Sequence, residues 1–123
     1  MKLQILQGTY QLVKLPEGSA IPQEVLAQEF YTVSKTHDEL SIIVSDSVVI
    51  ESNYIETWRI IKFVENMDLS LIGITSKIST VLANENINAC YVATYNTDYV
   101  LVKNDKLEKA ITVLEKAGYE FII

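Results

Sequence analysis

Catalysis needs reactive side chains that can meet, and this chain offers few. It holds one histidine (His37), one cysteine (Cys90) and one arginine (Arg59). His37 lies in a polar turn and Cys90 among the apolar residues of a strand, so neither a Cys–His pair nor a Ser–His–Asp relay can be assembled from them. One histidine and one cysteine cannot supply the clusters that hold zinc. The four glycines are isolated, without the spacing of a phosphate-cradling loop. The expectation is a protein without catalytic activity, metal or cofactor. What remains is binding chemistry. Residues 68–73 lead into a helix N-terminus, whose unpaired N–H groups and positive dipole end can hold a carboxylate without a basic side chain. Gly73 allows a ligand, or a neighbouring backbone, to come close. Asp98 can accept hydrogen bonds from an ammonium group, or close its own turn. A helix end and a carboxylate together suit a zwitterion, with Thr94 as a hydroxyl and Tyr95 as an aromatic wall. Each also has a structural use: Asp68 and Ser70 as helix caps, Thr94 as a strand residue, and Tyr91, Tyr95 and Tyr99 on a sheet face or subunit interface.

Residues 57–123 supply the elements that would position these groups. Thr57 to Val64 is dense in β-branched and aromatic residues and reads as a buried strand. Leu71, Ile74, Ile78, Val81 and Leu82 recur at helical spacing, which predicts a helix over 70–85. Residues 87–95 form the next strand, Asn96-Thr97 a turn, and Tyr99 to Lys103 a hairpin partner. Asp105 to Glu108 has the spacing of a capping box. It opens a helix with Leu107, Ala110, Ile111, Leu114 and Ala117 on one face. Gly118 falls where a left-handed residue ends a helix, and Tyr119 to Ile122 closes as a strand. The order is βαββαβ, the split βαβ pattern of ferredoxin-like folds, with both helices on one face of an antiparallel sheet.

Residues 1–56 read as an abbreviated copy. Leu3 to Leu15 gives one long strand, or two kinked at Gly8. Pro22 suits the first turn of a short helix to about Gln28. Phe30 to Thr36 and Leu40 to Val44 form a hairpin, and residues 46–50 a brief helix. Ser34-x-Thr36-x-Asp38 precedes Thr94-x-Asn96-x-Asp98 by about 60 residues, in the same order of elements, which points to an internal repeat. The fold class is α+β, with two tandem units divided at 56/57.

At Met67-Asp68-Leu69-Ser70-Leu71-Ile72-Gly73 and at Ala93-Thr94-Tyr95-Asn96-Thr97-Asp98-Tyr99-Val100-Leu101-Val102 the chain resembles a family of small bacterial double-ACT proteins. These are similar to the ACT modules of the Castor arginine sensors and, more distantly, of aspartate kinases. Gly8-x-Tyr10-x-Leu12, Leu15-Pro16, Ile21-Pro22, Asp38-Glu39-Leu40-Ser41 and Trp58-Arg59 also fit. The resemblance implies ACT-type units that bind a small effector, usually an amino acid, at an interface between units. Carried onto this chain, the implied ligand residues are Asp68, Leu69, Ser70, Leu71, Ile72, Gly73 and Ile74, then Thr94, Tyr95 and Asp98. Where the arginine sensors carry an acidic, glycine-containing loop, this chain has Asp68-Leu69-Ser70-Leu71, a departure that argues against arginine.

Composition bounds the partners. The formal net charge is −6, and the ten basic residues are scattered. Phosphate backbones need a Lys/Arg patch, so nucleic acid is not expected. A single cysteine excludes an internal disulfide. The N-terminus lacks the apolar stretch of a signal peptide, and no apolar run approaches the roughly 18 residues of a membrane helix. The expectation is a cytoplasmic sensor, away from membranes, for a small effector. Open sheet edges and tyrosine-rich faces predict a homo-oligomer, a dimer; a client protein, not identified by the sequence, is left open as a further partner. The alternative is an assembly module whose pocket is vestigial.

Overall fold

The computed structural model describes residues 1–64 and 73–122. Among these are eight strands: β1 Lys2–Ile5, β2 Tyr10–Pro16, β3 Tyr31–Lys35, β4 Glu39–Ser45, β5 Ile55–Phe63, β6 Ala89–Ala93, β7 Asp98–Lys103 and β8 Glu120–Ile122. Three helices accompany them: α1 Gln23–Leu26, α2 Ile74–Ala83 and α3 Leu107–Lys116. They group into two compact units, one of Gly8–Trp58 and one of Met1–Gln7 with Arg59–Ile123.

In the larger unit the order β5-α2-β6-β7-α3-β8 is the expected βαββαβ, and the fold is α+β and ferredoxin-like. Strand alternation selects one face: Leu3, Ile61, Phe63, Val100 and Val102 are buried there. Helical spacing meets that face with Ile78 and Leu82 from α2 and Leu107, Ala110 and Leu114 from α3. Each such large side chain contributes about 1.5–3 kcal/mol of transfer energy against the entropy of ordering it. Gly118, at φ 99°, ends α3 as expected, and the Tyr119 N–H returns to the Leu114 carbonyl at 3.0 Å.

The sheet of this unit contains one strand more than the sequence pattern predicts. The strand order is β6-β7-β5-β1-β8, so β1 lies between the first and last strands of the βαββαβ unit. It runs antiparallel to β5, with Leu3 opposite Phe63, and parallel to β8, with Leu3 opposite Phe121. The first seven residues, expected with the N-terminal half, thus group with the chain from residue 59 onward. The reason is local. Gly8 sits at φ 86°, a left-handed conformation that separates β1 from β2 and lets them pair with different partners.

The smaller unit pairs β3-β4-β2 and the first residues of β5, all antiparallel. Val13, Val25, Leu40, Ile42, Val44, Val48 and Ile50 form its core. It has one short helix, with Pro22 at the N-cap position. The brief helix expected at 46–50 does not form. Val48 and Ile50 are buried while Val49 is 85% exposed, the two-residue period of extended chain. The buried Gln11 amide donates to the carbonyls of Ser45 (3.0 Å) and Val48 (2.6 Å), supplying the partners a helix would have given. The capping box at 105–108 is also replaced. Asn104–Lys106 make a 3-10 turn and Lys106 takes the N-cap position of α3 without a side-chain bond. Starting the helix at Leu107 carries that side chain into the core.

Candidate functional site

The hairpin at 94–97 is built by two threonines. Thr94 donates from both its backbone N–H and its hydroxyl to the Thr97 carbonyl, each at 2.9 Å. The Thr97 N–H returns to the Thr94 hydroxyl at 3.3 Å. Thr97 is buried, and its own hydroxyl donates to the Phe63 carbonyl at 2.9 Å. That bond ties the turn to the end of β5, whose chain leads toward residue 65.

Across from the hairpin, α2 begins. Gly73 holds its N-cap position at φ 82°, with open space where a Cβ would stand. The Gly73 carbonyl accepts the first helical bond from Lys77 N–H at 2.9 Å. Gly73 has no side chain to cap this end, and no acidic residue occupies the first turn of α2. The negative charge comes from outside the helix. Thr75 Oγ1 donates to Asp98 Oδ2 at 3.0 Å, bringing the half-buried Asp98 from β7 to the first turn of α2. A carboxylate there is favoured by the helix dipole. With one oxygen held by Thr75, its other oxygen keeps capacity for an incoming N–H donor.

The structure therefore brings Gly73, Ile74 and Asp98 to one place, with Thr75 as their link. Thr94 closes its own turn. Tyr95 is 84% exposed at the hairpin tip. Asp68, Leu69, Ser70, Leu71 and Ile72, with the capping proposed for Asp68 and Ser70, lie outside the described residues. Thr75 and Thr97 were not singled out by sequence. Thr75 follows Gly73 by two positions, within the helix-start window where hydroxyls are common. Thr94-x-x-Thr97 has the spacing of a turn closed by its own hydroxyls.

The reactive residues lie on other elements. His37 lies 3.2 Å from the neighbouring Asp38, both strongly exposed. Cys90 is half-buried in β6. Among the described residues no group of three or more His, Cys, Asp or Glu could hold a metal ion. None of the described helices is long and apolar enough to cross a membrane, which says nothing of membrane-crossing strands.

The model of the ACT-domain family matches residues 53–116, more than half of the chain. The chain belongs to the ACT-domain family. A second family model, describing an N-terminal domain, matches residues 8–51 of this ACT protein. A solved Agrobacterium tumefaciens protein is similar over 98% of this chain and 91% of its own, at 29% identity and TM-score 0.90. The Clostridium acetobutylicum aspartate kinase shares the fold at 16% identity and TM-score 0.64, over 90% of this chain and 33% of the kinase. Among curated proteins, the rat cytosolic arginine sensor for mTORC1, subunit 1, is 24% identical over 110 residues. That match covers 82% of this chain, which spans about a third (31%) of the sensor's length. The ACT-type resemblance read from the 67–73 and 93–102 segments thus holds.

Proposed function

We propose that this ACT protein is a regulatory module that binds a small effector, an amino acid, and performs no chemistry on it. The observation carrying the proposal is the Thr75–Asp98 bond, which holds a carboxylate at the N-terminal end of α2. A ligand carboxylate is drawn to the helix N–H groups and a ligand ammonium to Asp98, the two halves of a zwitterion. Gly73 leaves the approach free of a side chain. Segment 68–72, Thr94 and Tyr95 complete the proposed ligand set, and likeness to a cytosolic arginine sensor supports an amino acid in the cytosol. The weaker acidity of the 68–71 segment favours a ligand other than arginine. A thermal-shift screen with the common amino acids tests the proposal. At least one should raise Tm at millimolar concentration, and its effect should vanish in Asp98→Asn and weaken in Gly73→Val. No stabilisation by any amino acid would refute it.

A second reading, an assembly module with an inactive pocket, is favoured by β6. Among the described strands it pairs only with β7, and its sequence Ala-Cys-Tyr-Val-Ala carries neither charge nor proline. Unprotected edges of this kind pair with other strands. Under either reading we propose a homodimer. Val92→Lys, which places a charge on this edge, should shift light scattering from dimer to monomer. If that variant stays dimeric, the edge is not the contact. A dimer that ignores every amino acid favours assembly over sensing.

A further inference from the structure

Thr75 faces Asp98, while its neighbours Ile74 and Lys77 point elsewhere. Together with Met1, Ala117, Gly118 and Tyr119 they line a slot of about 120 Å³ between the start of α2 and the end of α3. We propose that this slot receives the branched alkyl group of a small aliphatic carboxylate, whose carboxylate stays at the N-terminal end of α2 with Lys77 beside it as the neutralising cation. The inference deepens the effector-binding reading and rests on it, since it places the ligand's apolar end on the α3 side of the same helix terminus.

Size sets the first limit. A dry cavity of about 150 Å³ admits benzene, so this slot has room for a group of about isobutyl size, and a longer chain or a large ring would extend out of it into solvent. The lining sets the second. Ile74, Ala117 and Tyr119 offer carbon surface, and Ile74 and Tyr119 belong to or pack on the core, which fixes two of its walls. The space beside Gly118 is open where a Cβ would stand, so the α3 terminus leaves the slot unfilled. Charge sets the third. Among the described lining residues Lys77 has the one charged side chain, it is exposed, and no ion pair to it occurs among the described residues. A cationic side chain such as that of arginine would meet Lys77 with like charge, whereas a carboxylate gains a charge-assisted hydrogen bond.

Titration calorimetry on the full chain separates the terms with four probes: isocaproate, L-leucine, isoamylamine and L-arginine. Isocaproate and L-leucine should bind, and isoamylamine, with a similar alkyl group on a cation, should not. Lys77→Met should weaken both binders about ten-fold or more. Ala117→Leu, a surface change that fills the slot, should abolish them. Both positions are exposed, so the variants should fold, and an unchanged circular dichroism spectrum checks this. Failure of isocaproate and L-leucine to bind at millimolar concentration overturns the inference. So does L-leucine binding that survives Ala117→Leu but is lost in Asp98→Asn, an outcome that leaves the hairpin reading intact. Binding of isocaproate without L-leucine supports the slot and removes the amino-acid effector.

Discussion

Thr97 and Thr75 show how much a hydroxyl can settle when its partner lies far along the chain. The Thr97 hydroxyl meets the Phe63 carbonyl in a buried setting, so Thr97→Val leaves that carbonyl without its partner. The expected loss is about 1–3 kcal/mol, seen as a lower urea midpoint with an unchanged slope. Thr75→Val removes a less buried bond to Asp98 and should cost about 0.5–1.5 kcal/mol. Its more telling effect is on binding: Asp98 would lose its tether, and affinity should fall even where stability barely changes. The chemistry of Asp98 was legible in sequence, because a carboxylate after a short turn near a helix start is a local pattern. Its tether was not, because nothing in Ile74-Thr75-Ser76 records which strand lies opposite.

The elements divide along the same line. Helix α3 was readable from Leu107, Ala110 and Leu114, since its period is local and its buried face follows from it. Residues 46–50 were misread because their apolar content fits a short helix or a strand, and the deciding partner, Gln11, is more than 30 residues away. The capping-box spacing at 105–108 was overridden by the demand that Leu107 reach the core. Two tyrosines give the larger unit a measurable alkaline limit. Burial pushes the Tyr91 hydroxyl above its ordinary 10.0; the Ser79 side chain opposes this, and Cys90 adds to it. Burial also pushes Tyr119 up. In both the folded state favours the neutral phenol, so their contribution is complete below pH 10 and is lost as pH rises through the folded value. Urea titrations from about pH 9 to about pH 11 should show stability falling, and the fall should be shallower in Tyr119→Phe than in the parent. Equal slopes would remove Tyr119 as a cause.

At the scale of the whole molecule, the informative feature is β1. Its Leu3 is fully buried in the core of the larger unit, and its backbone bonds continue beyond the strand, from Leu6 N–H to the Ile60 carbonyl (2.9 Å) and from Val64 N–H to Lys2 (3.1 Å). Leu3→Ala should cost about 2–5 kcal/mol. Removing residues 1–7 should cost more, exposing β5 and β8 to solvent along their facing edges. Circular dichroism and hydrogen exchange on the shortened chain check this, with β5 and β8 amides losing protection. Intact protection there would mean that the two strands close on each other.

This placement also bears on the rate of folding. Strand β1 must find β8 across nearly the whole sequence of the larger unit, so their pairing closes a long loop. Folding of that unit therefore runs through contacts of long sequence separation, which are slow to form. The 8–58 unit joins its strands over shorter separations, and its entropy of closure is smaller.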